Sequence, residues 1–220
     1  MYEALVGKPV TERVLIVGAG LAGARTAEQL RRAEFAGSIT VVGDEMHLPY
    51  DRPPLSKEVL RREVDDVTLK PREFYDENNI TLLLGSAANT LDTARQTVVL
   101  ENGKVLDYDE VVIATGLVPK RIPSLPDLPG IHVLRSFDHS MALRGEAAAA
   151  RHAVIVGGGF IGCEVAASLR NLGVDVTLVE PQPTPLAAVL GEQIGALVAP
   201  PAFLRGSGRA HRYGRRLRRG

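Results

Sequence analysis

One glycine pattern occurs twice in this chain and constrains its fold more than any other feature. Each copy of GxGxxG directly follows an apolar run, VLIV in the first and AVIV in the second, and Gly18 and Gly157 are 139 residues apart. An apolar run followed by this pattern predicts a buried parallel strand that turns tightly into a helix. One copy alone would be weak evidence, since such turns also occur for packing reasons. Two copies predict two nucleotide sites, and they suggest a flavin and a nicotinamide. The glycines are Gly18, Gly20 and Gly23, then Gly157, Gly159 and Gly162.

An acidic residue follows the next predicted strand in both halves. Asp44 lies 21 residues after Gly23, and Glu180 lies 18 residues after Gly162. An acid there binds ribose hydroxyls. Glu180 would also repel a 2′-phosphate, and residues 181–190 hold no arginine to offset it, so NADH is favoured over NADPH. The alternative for Asp44 is that it only solvates a loop together with Glu45.

The chain is predicted to be α/β, with two Rossmann-like lobes built on parallel central sheets and with the second lobe incomplete. The predicted domains are an FAD-binding lobe at 1–120, a connector and linking helix at 121–150, an NAD-binding βαβ unit at 151–199 and a basic tail at 200–220. Helices are expected at 21–33, 56–62, 72–78, 137–150 and 160–171. Strands are expected at 14–17, 38–42, 81–84, 110–114, 131–135, 153–156 and 175–179, and a hairpin at 97–106 that turns at Asn102-Gly103.

Composition excludes several classes of protein. The chain is 45% hydrophobic and 24% charged, which is ordinary for a globular protein. Because the chain has one cysteine, Cys163, it cannot form an intramolecular disulfide, nor can its cysteines alone hold an iron–sulfur cluster. No apolar run approaches the ~20 residues of a membrane span, and no targeting segment is recognised, so a cytoplasmic location is expected. The histidines have no metal-ligand spacing, so no metal is expected.

Three segments together resemble one family. GAGLAG at 18–23, VGDE at 42–45 and DRPPLSK at 51–57 are similar to the FAD-binding half of NADH-dependent ferredoxin reductases, which serve Rieske-type oxygenases and bacterial cytochromes P450. The resemblance implies hydride transfer from NADH to FAD and electron transfer to a ferredoxin-type [2Fe-2S] protein. Disulfide reductases carry a redox cysteine pair on the corresponding helix, where this chain has Pro53, Pro54, Ser56 and Lys57.

The resemblance also implies roles for individual residues. Lys57 and Glu164 would form an ion pair beside the flavin that joins the two lobes; the alternative for Glu164 is a carboxylate that is merely favourable near a helix N-terminus. Thr115 and Gly116 belong to an ATGxxP turn on the flavin side, for which a plain strand terminator is the alternative. The residues implied to bind cofactor are Gly18, Gly20, Ala22, Gly23, Asp44, Arg52, Lys57, Ala88, Thr115, Gly116 and Arg135 for FAD, and Gly157, Gly159, Gly162 and Glu180 for NADH.

The end of the chain departs from this pattern. Residues 200–220 hold seven arginines and no acid, which leaves 19 basic and 26 acidic residues in the rest. The similarity stops near Ala199, and the tail has the composition that a reading-frame shift in GC-rich coding sequence produces. We expect it to be disordered; a basic arm for nucleic acid or an acidic partner is the alternative. Neither nucleic acid nor a membrane is expected as a partner. The alternative functions are an inactive nucleotide-binding fragment, an NADH oxidase and a disulfide-type reductase.

Overall fold

The computed structural model describes residues 12–123, 125–126 and 128–198, and the backbone of 210–213. Its α/β architecture with parallel strands confirms the predicted fold class. The strands are β1 Arg13–Val17, β2 Ser38–Val42, β3 Ile80–Leu83, β4 Ala88–Asp92, β5 Thr97–Leu100, β6 Val105–Asp107, β7 Glu110–Ile113, β8 His152–Val156, β9 Asp175–Val179 and β10 Ala210–Tyr213. The helices are α1 Leu21–Arg32, α2 Arg72–Glu77, α3 Phe137–Ala147, α4 Phe160–Asn171 and α5 Ala187–Val198, with a 3₁₀ turn at Pro53–Ser56.

Contacts divide the chain into two compact units. The first contains Met1–Asp51 and Val67–Leu117, and the second contains Arg52–Asp66 and Val118–Gly220. The segment Arg52–Asp66 therefore belongs with the second unit, although it precedes the boundary near residue 120 that the sequence suggests.

A four-stranded parallel sheet forms the centre of the first unit. Its order is β3-β2-β1-β7, and β1 pairs in parallel with both β2 and β7. Strand β1 is apolar on both sides because both of its faces are covered. Val14 and Ile16 pack with Ala27 of α1 on one face, and Leu15 packs with Val98 of the antiparallel sheet on the other. The carboxyl ends of β1, β2 and β7 consequently lie at one edge.

The antiparallel sheet of this unit has the order β4-β5-β6. The β5–β6 hairpin turns at Asn102 and Gly103 as predicted. Gly103 has φ +82°, and the Asn102 side chain accepts a hydrogen bond from the Lys104 amide. Strand β4 was not predicted.

The second unit repeats the βαβ arrangement. Strands β8 and β9 are parallel, and α4 packs on them through Val165 and Leu169. Strand β10 pairs antiparallel with β9. It belongs to the tail that the sequence predicts to be disordered, and the rest of that tail lies outside the described residues.

Two predicted elements are wrong, and helix α5, like strands β4 and β10, was not predicted. The segment 56–62 is not a helix, because the 3₁₀ turn at Pro53–Ser56 comes first and Arg62 takes φ +65°. Residues 131–135 form no strand. Helix α5, which breaks at Gly191 with φ +81°, was not predicted from its almost wholly apolar sequence. Among the described residues, no helix combines the length and apolar character that crossing a bilayer requires.

Candidate functional site

The first glycine turn is built by close backbone packing. The Gly18 amide donates to the Val42 carbonyl at 2.8 Å, and Gly18 has φ +117°. A Cβ on Gly18 would lie 2.1 Å from the Ala114 carbonyl oxygen, and one on Gly23 would lie 1.9 Å from the Gly18 oxygen. Neither position can carry a side chain, so these two glycines are required by the turn itself.

The middle glycine of each motif meets a different environment. A Cβ on Gly20 or on Gly159 would have no heavy atom within 4 Å. These two glycines are therefore not needed for packing. Open space beside a helix N-terminus leaves room for a ligand to approach bare backbone, which is the role of this glycine in dinucleotide binding.

Both helices that follow the motifs begin without a side-chain cap. Gly20 and Gly159 are the N-cap residues, and no side chain accepts from the first-turn amides of α1 or α4. By contrast, α3 begins with a complete capping box between Ser136 and His139. Uncapped N–H groups at a helix N-terminus bind anions. The two glycine turns thus fit the pyrophosphates of FAD and NADH.

The other predicted residues of the first unit lie close to this turn in the fold. Asp44 is exposed just after β2, and its Oδ1 accepts a hydrogen bond from the Glu45 amide. Thr115 and Gly116 are exposed just after β7, with Gly116 at φ +72°. Because β1, β2 and β7 are parallel neighbours, these residues share the edge that carries the glycine turn. Ala22 is exposed in the first turn of α1, and Ala88 begins β4 in the antiparallel sheet.

Glu180 lies inside the second glycine turn. Its Oε2 accepts from the Gly158 amide at 2.5 Å and its Oε1 accepts from the Gln182 amide at 2.9 Å, and the residue is only 9% exposed. A Cβ on Gly158 would lie 3.0 Å from Oε2. Glu180 therefore stabilises the turn through its hydrogen bond from the Gly158 amide. The importance of Gly158 was missed because the fingerprint treats this position as variable.

The two halves differ by one residue in where they place the acid. Val17 is level with Val42 and Val156 is level with Val179, so the residue equivalent to Glu180 is Gly43. A Cβ on Gly43 would lie 2.5 Å from the Cβ of Ala19, so an acid does not fit there. In the second half the residue equivalent to Ala19 is Gly158, which leaves room for the Glu180 side chain. Asp44 is thus one residue further along the chain than the position equivalent to Glu180. Aligning the strand ends would have shown this difference, which counting from the last glycine conceals.

Lys57 and Glu164 are paired, as the resemblance implies. Lys57 Nζ lies 3.1 Å from Glu164 Oε2, and both side chains are about one third exposed. Burial would raise the pKa of Glu164, but hydrogen bonds from Ser56 and Lys57 outweigh it and lower that pKa. Both residues belong to the second unit. Lys57 precedes the boundary that the sequence suggests near residue 120, but it groups with Glu164 because Arg52–Asp66 is packed on α3 and α4.

Arg52 and Arg135 also lie together. The guanidinium of Arg52 donates to the carbonyl of Arg135 at 2.7 Å. One role of Arg52 is thus to fix the backbone that leads into α3. This hydrogen bond joins two of the residues that are predicted to lie on the flavin side.

Cys163 is not in a state suited to nucleophilic chemistry. Burial, together with the carboxylates of Glu180 and Glu164, raises the pKa of its thiol, so that the thiolate is disfavoured. In the part of the chain that the structure describes, no group of three or more histidine, cysteine or acidic residues is placed to hold a metal ion.

Comparison with known proteins identifies the family. Residues 12–200 match the family described as pyridine nucleotide-disulphide oxidoreductase. The ferredoxin–NAD(+) reductase component of the p-cumate 2,3-dioxygenase system of Pseudomonas putida is 45% identical over 170 residues, which is 76% of this chain and 42% of that protein.

Two solved structures are similar over most of the chain. The ferredoxin reductase of the CYP199A2 system of Rhodopseudomonas palustris is 36% identical with a TM-score of 0.80, covering 84% of this chain and 46% of that one. A putidaredoxin reductase, solved in covalent complex with putidaredoxin, is 33% identical with a TM-score of 0.79, covering 85% and 46%.

The chain thus spans a little under half the length of these relatives. Proteins of the matched family use FAD and NAD(H), and both glycine turns observed here fit such dinucleotides. The chain belongs to the pyridine nucleotide-disulphide oxidoreductase family, and within that family its relatives are ferredoxin–NAD(+) reductases.

Proposed function

We propose that this chain provides the FAD-binding and NADH-binding turns of an NADH:ferredoxin oxidoreductase. When bound, FAD would accept two electrons as hydride from NADH and release them singly to a ferredoxin-type [2Fe-2S] protein. The observation that carries the proposal is the pair of uncapped helix N-termini, α1 and α4, each preceded by a glycine that packing does not require.

The chain's own residues would bind and orient these molecules. In the first unit, the amides of the Gly18–Gly23 turn would hold the FAD pyrophosphate and Asp44 would accept from ribose hydroxyls. In the second, the amides of the Gly157–Gly162 turn would hold the pyrophosphate of NADH. The carboxylate of Glu180 would disfavour the 2′-phosphate of NADPH.

The Lys57–Glu164 pair would supply a fixed charge arrangement near the flavin. Its two groups are held by a short contact and lie at the surface of the second unit. An ionised Glu164 keeps Lys57 oriented, so the ammonium group can present a donor to a bound ring system. Such preorganised charge can aid a reaction in which charge moves between two rings.

The first experiment is spectroscopic. The purified chain is incubated with FAD, freed of excess cofactor, and titrated anaerobically with NADH. The proposal predicts a yellow protein whose flavin absorbance bleaches, and whose electrons then pass to a [2Fe-2S] ferredoxin faster than to oxygen. A colourless protein, or one reoxidised only by oxygen, would contradict the proposal and favour the fragment or the oxidase, respectively.

A charge reversal tests the role of Glu164. Glu164→Lys replaces the attraction to Lys57 with repulsion, and we expect flavin reduction by NADH to slow by at least tenfold, equivalent to about 1.4 kcal/mol. Glu192→Lys is the matched control, because it reverses an exposed charge in the same unit. Equal rates in the two variants would remove the pair from the mechanism.

A further inference from the structure

Three buried serines surround the turn that precedes Lys57. Ser56, Ser140 and Ser168 are each no more than 4% exposed. Most buried hydroxyls form hydrogen bonds, which offset their lost hydration. Ser140 and Ser168 donate to carbonyls of the segment Pro53–Lys57, and Ser56, which lies in that segment, donates to Glu164.

Helix α4 holds Ser56 at two points. The Ser56 hydroxyl donates to Glu164 Oε2 at 2.5 Å, and the Ser168 hydroxyl donates to the Ser56 carbonyl at 2.7 Å. Residues four apart lie on one face of a helix. Consecutive turns of α4 therefore bind Ser56, the first at its side chain through Glu164 and the second at its carbonyl through Ser168.

Helix α3 holds the preceding residue. The Ser140 hydroxyl donates to the Leu55 carbonyl at 2.7 Å, and Leu55 is buried. Successive carbonyls, of Leu55 and Ser56, are thus bound by different helices. Rotation of the backbone just before Lys57 would break both bonds.

Ser56 and Lys57 share one oxygen of Glu164. The Oε2 atom accepts from the Ser56 hydroxyl and also lies 3.1 Å from Lys57 Nζ. A buried, short side chain such as serine has few rotamers to lose, whereas lysine is long and flexible. The serine can fix the carboxylate where the lysine alone could not.

We propose that Ser56 is a positioning residue that fixes the Glu164 carboxylate for Lys57, and that Ser168 and Ser140 anchor Ser56 for this purpose. The contacts themselves lie within one unit and do not depend on the proposed function. Only the reason for positioning Glu164 and Lys57 rests on that function. Ser56 lies within DRPPLSK at 51–57, whereas Ser140 and Ser168 lie outside the three segments that resemble the family.

The test measures the titration of the Glu164 carboxyl directly, in the protein without bound nucleotide. The side-chain carboxyl of Glu164 is titrated by ¹³C NMR; Lys57 pairs with this carboxylate, whose charge also acts on the Cys163 thiol. In Ser56→Ala we expect the Glu164 midpoint to rise, because a donor to the carboxylate is lost. Ser56→Thr keeps a hydroxyl and should restore it.

The anchors are tested by hydrogen exchange. Ser168→Ala and Ser140→Ala each leave a buried carbonyl without its donor, so the amides of Leu55 and Lys57 should exchange roughly tenfold faster or more. Ser86→Ala is the matched control, since Ser86 is also buried but its hydroxyl has no hydrogen-bond partner. It should change neither the exchange nor the titration.

The outcomes separate this inference from the proposed function. An unchanged Glu164 midpoint in Ser56→Ala, or exchange in Ser168→Ala equal to that in Ser86→Ala, would overturn the positioning role, whether or not NADH reduces the flavin. If the Glu164 midpoint rises in Ser56→Ala but NADH does not reduce the flavin, the result would instead count against the proposed function alone.

Discussion

At the scale of residues, the two acids that follow the glycine turns have different surroundings. Asp44 is exposed, whereas Glu180 is nearly buried and accepts two backbone amides. An acid fixed in this way presents its charge at a defined place, which favours discrimination by repulsion. Spacing alone predicted an acid in both places, but the extra residue at Gly43 becomes visible only when the strands are aligned.

The fixed charge of Glu180 leads to a prediction about cofactor choice. In Glu180→Gln the repulsion of a 2′-phosphate is lost, so the ratio of the NADPH to the NADH dissociation constant should fall roughly tenfold, equivalent to about 1.4 kcal/mol. Fluorescence titration of both nucleotides measures the ratio. Glu192→Gln, which neutralises an exposed acid in the same unit, should leave it unchanged. The same ratio in all three proteins would refute the role of Glu180.

Asp109 predicts a pH dependence of stability. The side chain of Arg13 and then the backbone amide of Glu12 lower the pKa of Asp109 from 3.8 to about 2. A lowered pKa means that the folded state holds the carboxylate, so its contribution is present above about pH 4 and is lost as the pH falls toward about 2.

Urea unfolding across this pH range checks the contribution of Asp109. Asp109→Asn should show a shallower decline in the free energy of unfolding between pH 4 and pH 2 than the parent. Asp107→Asn, which removes another acid near Arg13, should retain the parent's slope. Parallel curves for the parent and Asp109→Asn would exclude the linkage.

At the scale of elements, regular βαβ units were predictable and irregular segments were not. Strand β2, helix α4 and strand β9 have the predicted bounds, because periodicity and local propensity agree there. The segment 56–62 follows a different rule. The backbone that leads into it is set by Pro53 and Pro54 and by hydrogen bonds from Ser140 and Ser168. The local sequence shows the prolines but not the contacts of the distant serines.

Arg31 connects three elements through carbonyl oxygens. Its guanidinium donates to Phe35 and Gly37 before β2, and to Asn78 and Asn79 between α2 and β3, at 2.6–2.8 Å. A lysine cannot reproduce this forked arrangement. We expect Arg31→Lys to lower the free energy of unfolding by about 1–3 kcal/mol.

Arg32→Lys is the control for this prediction. Arg32 is exposed and forms one ion pair with Glu28, which Arg25 also contacts. Its replacement should cost less than about 0.5 kcal/mol. Urea denaturation compares the two variants, and equal losses would show that the carbonyl contacts of Arg31 contribute little.

At the scale of the whole molecule, two units carry the same turn with different chemistry around it. The glycine motifs predicted both turns, and the structure adds that both helices are uncapped while α3 is capped. The contact units were less predictable, because Arg52–Asp66 groups with residues far along the chain. That grouping depends on side chains buried against α3 and α4, such as Leu60.

If each turn binds its own dinucleotide, reciprocal substitutions will abolish the two binding events separately. Gly20 and Gly159 have extended backbones and open space at Cβ, so aspartate fits at either. It would cap the helix and repel a pyrophosphate. Calorimetric titration of Gly20→Asp should show loss of FAD binding with NADH binding retained, and Gly159→Asp should show the reverse. Loss of both ligands in one variant, or of neither in both, would contradict the account.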